Sequence, residues 1–289
     1  MIDLSEIRLI GLDLDGTVLT NDKRLSPRTK AAIERAIDCG IVVMPATGRP
    51  VTGIPGEFAD MPGVRYLLGS NGAAVYDKKE KRFVVQNCIA HSAVREALEL
   101  YGQLEGTFEL YIDGVPYIAK EDYADLDHLI PEPHIREYVK KTRTVVEDIR
   151  TVLEANAGNV EKINMCFPTV EATDEAMALL PQIPSVTGVR GLPFNLELSK
   201  AGIDKGEGLL QLAAVLGIKK EQVLACGDSE NDLEMIRKVG VGAAMANAVL
   251  AVKEAADLVL AFTNEEEGVA WLLEAIVRQQ EERKKMDEI

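Results

Sequence analysis

The sequence predicts an α/β protein: a parallel sheet wound with helices and interrupted by a second, α+β unit. Two observations carry that reading. Short apolar runs, at residues 7–12, 41–46 and 223–226, each end abruptly in a polar cluster. Such runs suit strands buried on both faces of a parallel sheet, whose ligands gather beyond the carboxyl ends of the strands. Around residue 87 the texture changes to alternation, the mark of antiparallel strands with one solvated face. Residues 1–86 and 193–289 are therefore read as one domain and 87–192 as an insert.

The first run leads into Asp13-Leu14-Asp15-Gly16-Thr17. Isolated charges are too costly inside a buried strand, so the carboxylates belong at its end, where Gly16 lets the chain turn. Residues 18–25 hold two β-prone pieces around Asn21-Asp22 and read as a small hairpin over the carboxylates. Ser26-Pro27 opens a helix as N-cap and first helical residue. Its apolar stripe is Ala32, Ile33, Ala36 and Ile37, and Gly40 ends it. Residues 41–46 form the second strand, ending in Thr47-Gly48-Arg49. Residues 65–69 form a third, before Ser70-Asn71-Gly72-Ala73, and 74–76 pair with 83–86 as a hairpin.

In the insert, a helix over 91–101 precedes a hairpin of 107–112 and 115–118 about Asp113-Gly114. Residues 127–139, with Pro131 and Pro133, take no assignment. Residues 162–167 read as a strand and 172–180 as a helix. Residues 195–198 are expected to resume the core. A helix over 207–216 opens at Lys205-Gly206. The strand 223–226 ends in Gly227-Asp228-Ser229-Glu230-Asn231-Asp232, and a helix over 233–239 follows. Strands at 241–245 and 258–260 flank a helix over 248–256. The last helix starts near Gly268, with Trp271 expected against the core and 279–289 as its solvated end.

Apolar content of 47% and charged content of 27% are those of a globular protein. No apolar run approaches the roughly 20 residues of a membrane span. Residues 1–6 lack the basic start of a signal peptide. Cys39, Cys88, Cys166 and Cys226 are scattered, so neither zinc nor a disulfide framework is expected, and a cytoplasmic setting fits. His91, His128 and His134 lack metal-like spacing. A net charge of −15 argues against nucleic acid and anionic membranes as partners. It also requires that any phosphate ligand be met by local positive charge.

Parallel strands put their carboxyl ends on one edge. Asp13/Asp15, Thr47-Gly48-Arg49 and Asp228/Asn231/Asp232 then converge, and Lys205 at a helix start joins them. D-x-D-G-T by itself is either an Asp-Gly turn closing a strand, or a nucleophile, Asp13, and a proton carrier, Asp15, sharing a metal ion. Lys205 is either part of the cluster or a solvated lysine beside Gly206. Arg49 either contacts ligand or pairs with a carboxylate. Asp232 either supports the cluster or caps the next helix.

The order D-x-D-G-T, T-G-R, K-G and G-D-S-x-N-D resembles the haloacid dehalogenase superfamily, and within it the Cof-type, class IIB sugar phosphatases. Smaller echoes are S-N-G-A at 70–73, Asn247-Ala248 and Glu267-Gly268-Val269-Ala270; Ala246 stands where the family more often has Gly. The resemblance covers almost the whole chain. It implies a Rossmann-like core with an inserted C2-type cap domain. It also implies a Mg²⁺-dependent phosphatase for small phosphorylated metabolites, sugar phosphates foremost, working through an aspartyl phosphate. By the same resemblance Asp13 is the nucleophile and Asp15 the general acid and base. Asp13, Asp228 and the Asp15 carbonyl bind the metal, completing the oxygen-only octahedron Mg²⁺ prefers. Thr47, Gly48 and Lys205 bind phosphate, Asn231 binds phosphate or orients Asp228, and Asp232 and Arg49 support these groups from behind. Two alternatives stand: a phosphomutase on sugar phosphates, or a non-enzymatic phosphoaspartate or ligand-sensing module. A monomer or homodimer is expected.

Overall fold

The computed structural model describes residues 2–156 and 158–287. Met1 of the N-terminal reading and residues 288–289 of the tail lie outside them. The strands, in chain order, are Leu9–Leu12 (β1), Val42–Pro45 (β2), Tyr66–Gly69 (β3), Ala74–Asp77 (β4), Arg82–Gln86 (β5), Glu109–Ile112 (β6) and Val115–Ala119 (β7). They continue as Thr144–Val146 (β8), Val160–Cys166 (β9), Val186–Val189 (β10), Asn195–Lys200 (β11), Val223–Gly227 (β12), Val241–Ala244 (β13) and Leu258–Val259 (β14).

The first sheet has the order β14-β13-β12-β1-β2, with every pair parallel. Leu9, Ile10, Leu12, Val223, Leu224 and Cys226 are all fully buried, so both faces are covered, as the unbroken apolar runs require. Helix Pro27–Asp38 starts as read: the Ser26 hydroxyl accepts from the Thr29 amide and Pro27 holds the first position. It lies along helix Gly268–Asp287, tied by the Arg28 guanidinium, which donates twice to Glu274 at 3.0 and 2.8 Å. Trp271 does not enter the core. It is 45% exposed, stacked on Phe262 and covered by Arg28. The third strand, β3, is not in the parallel sheet proper. It heads an antiparallel sheet β3-β4-β5 and meets the chain just after β2 through a parallel bridge, Ala46 to Leu68.

The second large sheet runs β10-β11-β9-β6-β7-β8. Here one reading is corrected. Residues 195–198 do not resume the core sheet; β11 pairs antiparallel with β9 and β10. The return to the first sheet comes only after Gly202, whose φ of +79° turns the chain toward helix Lys205–Val215. The burial explains it. Leu196 and Leu198 pack with Leu110, Ile163 and Met165 and with helices His91–Tyr101 and Val170–Leu179. The Asp113-Gly114 hairpin forms as read, with φ of +48° and +77°. The stretch left unassigned folds as helices Leu126–Leu129 and Pro133–Thr142, the second opened by Pro133, where a missing amide costs nothing. The four cysteines are unpaired. Among the described residues no helix is long and apolar enough to cross a membrane.

Candidate active site

The register of the first sheet assembles the site. Leu12 lies beside Cys226 on one strand and Pro45 on the other, so Asp13, Asp228 and Thr47 leave one edge together. The Asp13 amide donates to the Cys226 carbonyl at 3.0 Å, which continues the ladder one residue beyond Leu12. Gly16 turns back with φ of +85°, and a Cβ there would collide with the Asp228 carboxylate. The Thr17 hydroxyl donates to Asp228 Oδ1 at 2.8 Å.

Lys205 is not solvated. It is fully buried, and its Nζ donates to Asp13 Oδ1 and to Asp232 Oδ1, both at 2.7 Å. Burial by itself would lower the lysine pKa, but the two carboxylates outweigh it and raise it, so the ammonium is retained. Asp232 is fully buried too. Its Oδ2 accepts from the Asp228 and Ser229 amides at 3.0 Å each. It therefore orients both Lys205 and the loop bearing Asp228, while also closing the capping turn at Ser229. Asn231 accepts from the Ser229 hydroxyl at 2.8 Å, so Asp232, not Asn231, holds Asp228 in place.

One carboxylate oxygen each from Asp13, Asp228 and Asp232 lie within 4.8 Å of one another. Burial, then Asp232 and Asp228, push the Asp13 carboxyl well above its usual range against the pull of Lys205. Burial pushes Asp228 up to about 6, with Asp232 adding to it and the Thr17 hydroxyl opposing. Crowded acids of this kind are relieved by a cation, and an all-oxygen donor set suits a hard divalent one. Both Asp232 oxygens already serve protein donors, which leaves Asp13 and Asp228 as the carboxylates with coordination to give.

Asp15 points elsewhere. Arg49 holds it with two bonds, Nε at 3.0 Å and Nη2 at 2.8 Å, and Lys23 of the small hairpin reaches it at 2.7 Å. Burial works to raise its pKa, yet Arg49 and Lys23 prevail and hold it below the ordinary carboxylate value. Arg49 thus pairs with a carboxylate, and the hairpin does lie over the acids. Thr47 is buried, and its hydroxyl accepts from the Arg49 amide at 3.2 Å. Gly48 follows, and its carbonyl accepts from Lys162 of β9 at 2.6 Å.

Four residues at the site were not singled out from sequence: Lys23, Asn71, Lys162 and Glu197. Asn71 Nδ2 donates to Glu197 Oε2 at 2.5 Å, and Lys162 Nζ lies 3.0 Å from Glu197 Oε1. Asn71 sat in the S-N-G-A stretch and Lys23 in the predicted hairpin, so both had a local signal. Lys162 and Glu197 had none, because a charged residue in an alternating strand reads as its solvated face.

The haloacid dehalogenase-like hydrolase family matches the chain over residues 10–273. The putative phosphatase YxeH of Bacillus subtilis is 29% identical over 283 residues, covering 93% of this chain and 98% of that protein. The 5-amino-6-(5-phospho-D-ribitylamino)uracil phosphatase YitU of the same organism is 30% identical over 275 residues, covering 92% and 96%. A crystal structure of a haloacid dehalogenase-like hydrolase from Bacteroides thetaiotaomicron superposes with a TM-score of 0.79 at 28% identity, covering 93% and 99%. The gathered carboxylates, the buried lysine and these matches together place the chain in the haloacid dehalogenase-like hydrolase family, as a phosphatase of small phosphorylated molecules.

Proposed function

We propose that the chain is a Mg²⁺-dependent sugar-phosphate phosphatase working through an aspartyl phosphate on Asp13. The observation that carries this is the buried Asp13–Lys205–Asp232 chain beside Asp228, with Asp15 two residues on and held by different partners. The relative whose named substrate carries a ribityl phosphate supports the substrate class.

Asp13, Asp228 and the Asp15 backbone carbonyl would hold the Mg²⁺, which when bound neutralises phosphate oxygens and relieves the crowded acids. The chain's own groups do the rest. Lys205 fixes the Asp13 carboxylate and adds positive charge where the phosphoryl oxygens gather. Thr47, the Gly48 amide and Asn231 hold the remaining oxygens. An Asp13 oxygen bonds phosphorus as the bond to the leaving oxygen breaks, and Asp15 hands that oxygen its proton. Water then attacks phosphorus, Asp15 takes the water's proton, and Asp13 is released. With Arg49 and Lys23 in place Asp15 is ionised, ready for the second step; protonation for the first follows when one of them turns away. The unit built on the six-stranded sheet, residues 87–201, acts as the cap over this site and 1–86 with 202–289 as the core.

The test is phosphate release from a panel of sugar phosphates with Mg²⁺ and with chelator. Asp13→Asn is expected to lower kcat by about 10³-fold or more with its melting temperature little changed. Undiminished release by that variant would remove Asp13 from the role of nucleophile. Isomerised sugar phosphate in place of free phosphate would mark a mutase instead.

A further inference from the structure

The six-stranded sheet has two unlike faces. One is the apolar face already described. Strand alternation puts Glu109 and Tyr111 of β6, Lys162 and Asn164 of β9, and Asn195 and Glu197 of β11 on the other. Such a face is ordinarily solvated. Here Glu109 is 0% exposed, Lys162 1%, and Asn164 and Asn195 4% each. The face is closed off at its Ile118 and Cys166 end by helices Leu126–Leu129 and Pro133–Thr142 of the same unit, and beside Lys162 and Glu197 by the loops that carry Gly48, Asn71 and Arg49. Lys162 bonds the Gly48 carbonyl, Asn71 bonds Glu197, and the Arg49 guanidinium lies 5.4 Å over the Tyr138 ring. Burying charges is costly, and well-packed apolar residues would hold two domains together as well or better. A buried charged face beside Asp15 is therefore poor glue and good recognition surface.

Its charges are paired. Arg143 donates to Glu109 Oε2 at 2.8 Å, Lys162 pairs with Glu197, and beside the face Arg49 and Lys23 share Asp15. Burial lowers the Lys162 pKa against the pull of Glu197. Among the described residues, two acceptor oxygens, Glu109 Oε1 and Asn71 Oδ1, and two hydroxyls, those of Tyr138 and Ser199, are buried here without a hydrogen-bond partner. The first two only accept and the hydroxyls both give and take, so a group that bears hydroxyls of its own satisfies all four.

Resting on the phosphatase reading above, we propose that Glu109 and Glu197 determine specificity by charge. The leaving group they admit is neutral and bears hydroxyls, and one with a second anionic group is refused. A second carboxylate or phosphate would face two buried glutamates, and each cation on this face already has an acid.

The test uses matched pairs that differ only in one hydroxymethyl exchanged for carboxylate: glycerol phosphate with phosphoglycerate, and sorbitol phosphate with phosphogluconate. p-Nitrophenyl phosphate serves as the reference substrate. With Mg²⁺ the neutral member of each pair is expected to have a kcat/KM about tenfold or more above its acid partner. In Glu109→Gln and Glu197→Gln, isosteric changes that remove one negative charge, that ratio is expected to fall by about tenfold. Acid partners turned over as fast as the neutral members by the natural enzyme would overturn the proposal, whatever the variants do. An unchanged ratio in folded variants would overturn the assignment to these glutamates. Failure of the phosphatase reading looks different: no hydrolysis of p-nitrophenyl phosphate, or hydrolysis that survives Asp13→Asn.

Discussion

Lys205 shows how one buried side chain organises several acids. Its ammonium is shared by Asp13 and Asp232, and Asp232 in turn fixes the Asp228 loop through two amides. The glycine in the first motif is as constrained as the acids around it. In Gly16→Ala the added methyl strains a φ of +85° and displaces the Asp228 carboxylate. Turnover is expected to drop by about a hundredfold, with a melting temperature lowered by several degrees, read by phosphate release and calorimetry. Asp228 supplies a pH dependence. Its ordinary value is 3.8 and its folded value is about 6. Between them the metal-free native state keeps a proton that the unfolded chain has lost. Stability therefore falls as pH rises through that window and stays reduced above it. A cation binding the ionised form reverses the penalty. The melting-temperature gap between Mg²⁺-loaded and chelator-treated protein is expected to widen from pH 5 to pH 7; a constant gap would separate Asp228 from the metal.

At the level of elements, the turn after β3 links the two sheets. Ser70 and Asn71 both hold positive φ, +51° and +54°, and each meets a glutamate of the second sheet unit: Ser70 donates to Glu161 at 2.9 Å and Asn71 to Glu197. The same turn donates its amides to the Arg49 and Thr47 carbonyls at 2.8 and 3.1 Å, so strain in it is carried to the proposed phosphate loop. Glu161 also accepts from the Gly114 amide at 3.1 Å. Burial pushes its carboxyl up to about 7 from an ordinary 4.5, with Ser70 and Gly114 pulling the other way. The protonated form is thus the one the closed contact favours, and the contact weakens as pH climbs from 4.5 to about 7. Protection of the Gly114 amide, corrected for intrinsic exchange, is expected to be about tenfold lower at pH 8 than at pH 6, and flat in Glu161→Gln. Equal protection at both pH values in the natural chain would disconnect Glu161 from closure.

For the whole molecule the dominant quantity is a net charge of −15. Phosphorylated substrates are repelled at long range and attracted only within the site, where Lys205, Lys23 and Arg49 stand. Raising salt from about 10 to 150 mM shortens the Debye length from roughly 30 to 8 Å, so kcat/KM for a phosphate ester is expected to rise several-fold. A fall would mean that the local cations already govern encounter.

Much of this was legible along the chain. Residues buried on both faces write continuous apolar runs, and acids cannot lie within them, so β1, β2 and β12 and their terminal clusters were readable one by one. Parallel pairing then brings their ends together as a matter of geometry. The sequence by itself thus determined the parallel core, the acids at its edge and the presence of an insert. Tertiary structure decided where β11 belongs, because an apolar-alternating strand fits either sheet until its neighbours are known. It also decided that Arg49 and Lys23 take Asp15, and that the polar face of the second sheet is buried. No local pattern distinguishes a charge facing water from one facing another domain; only the packing of one unit on the other does.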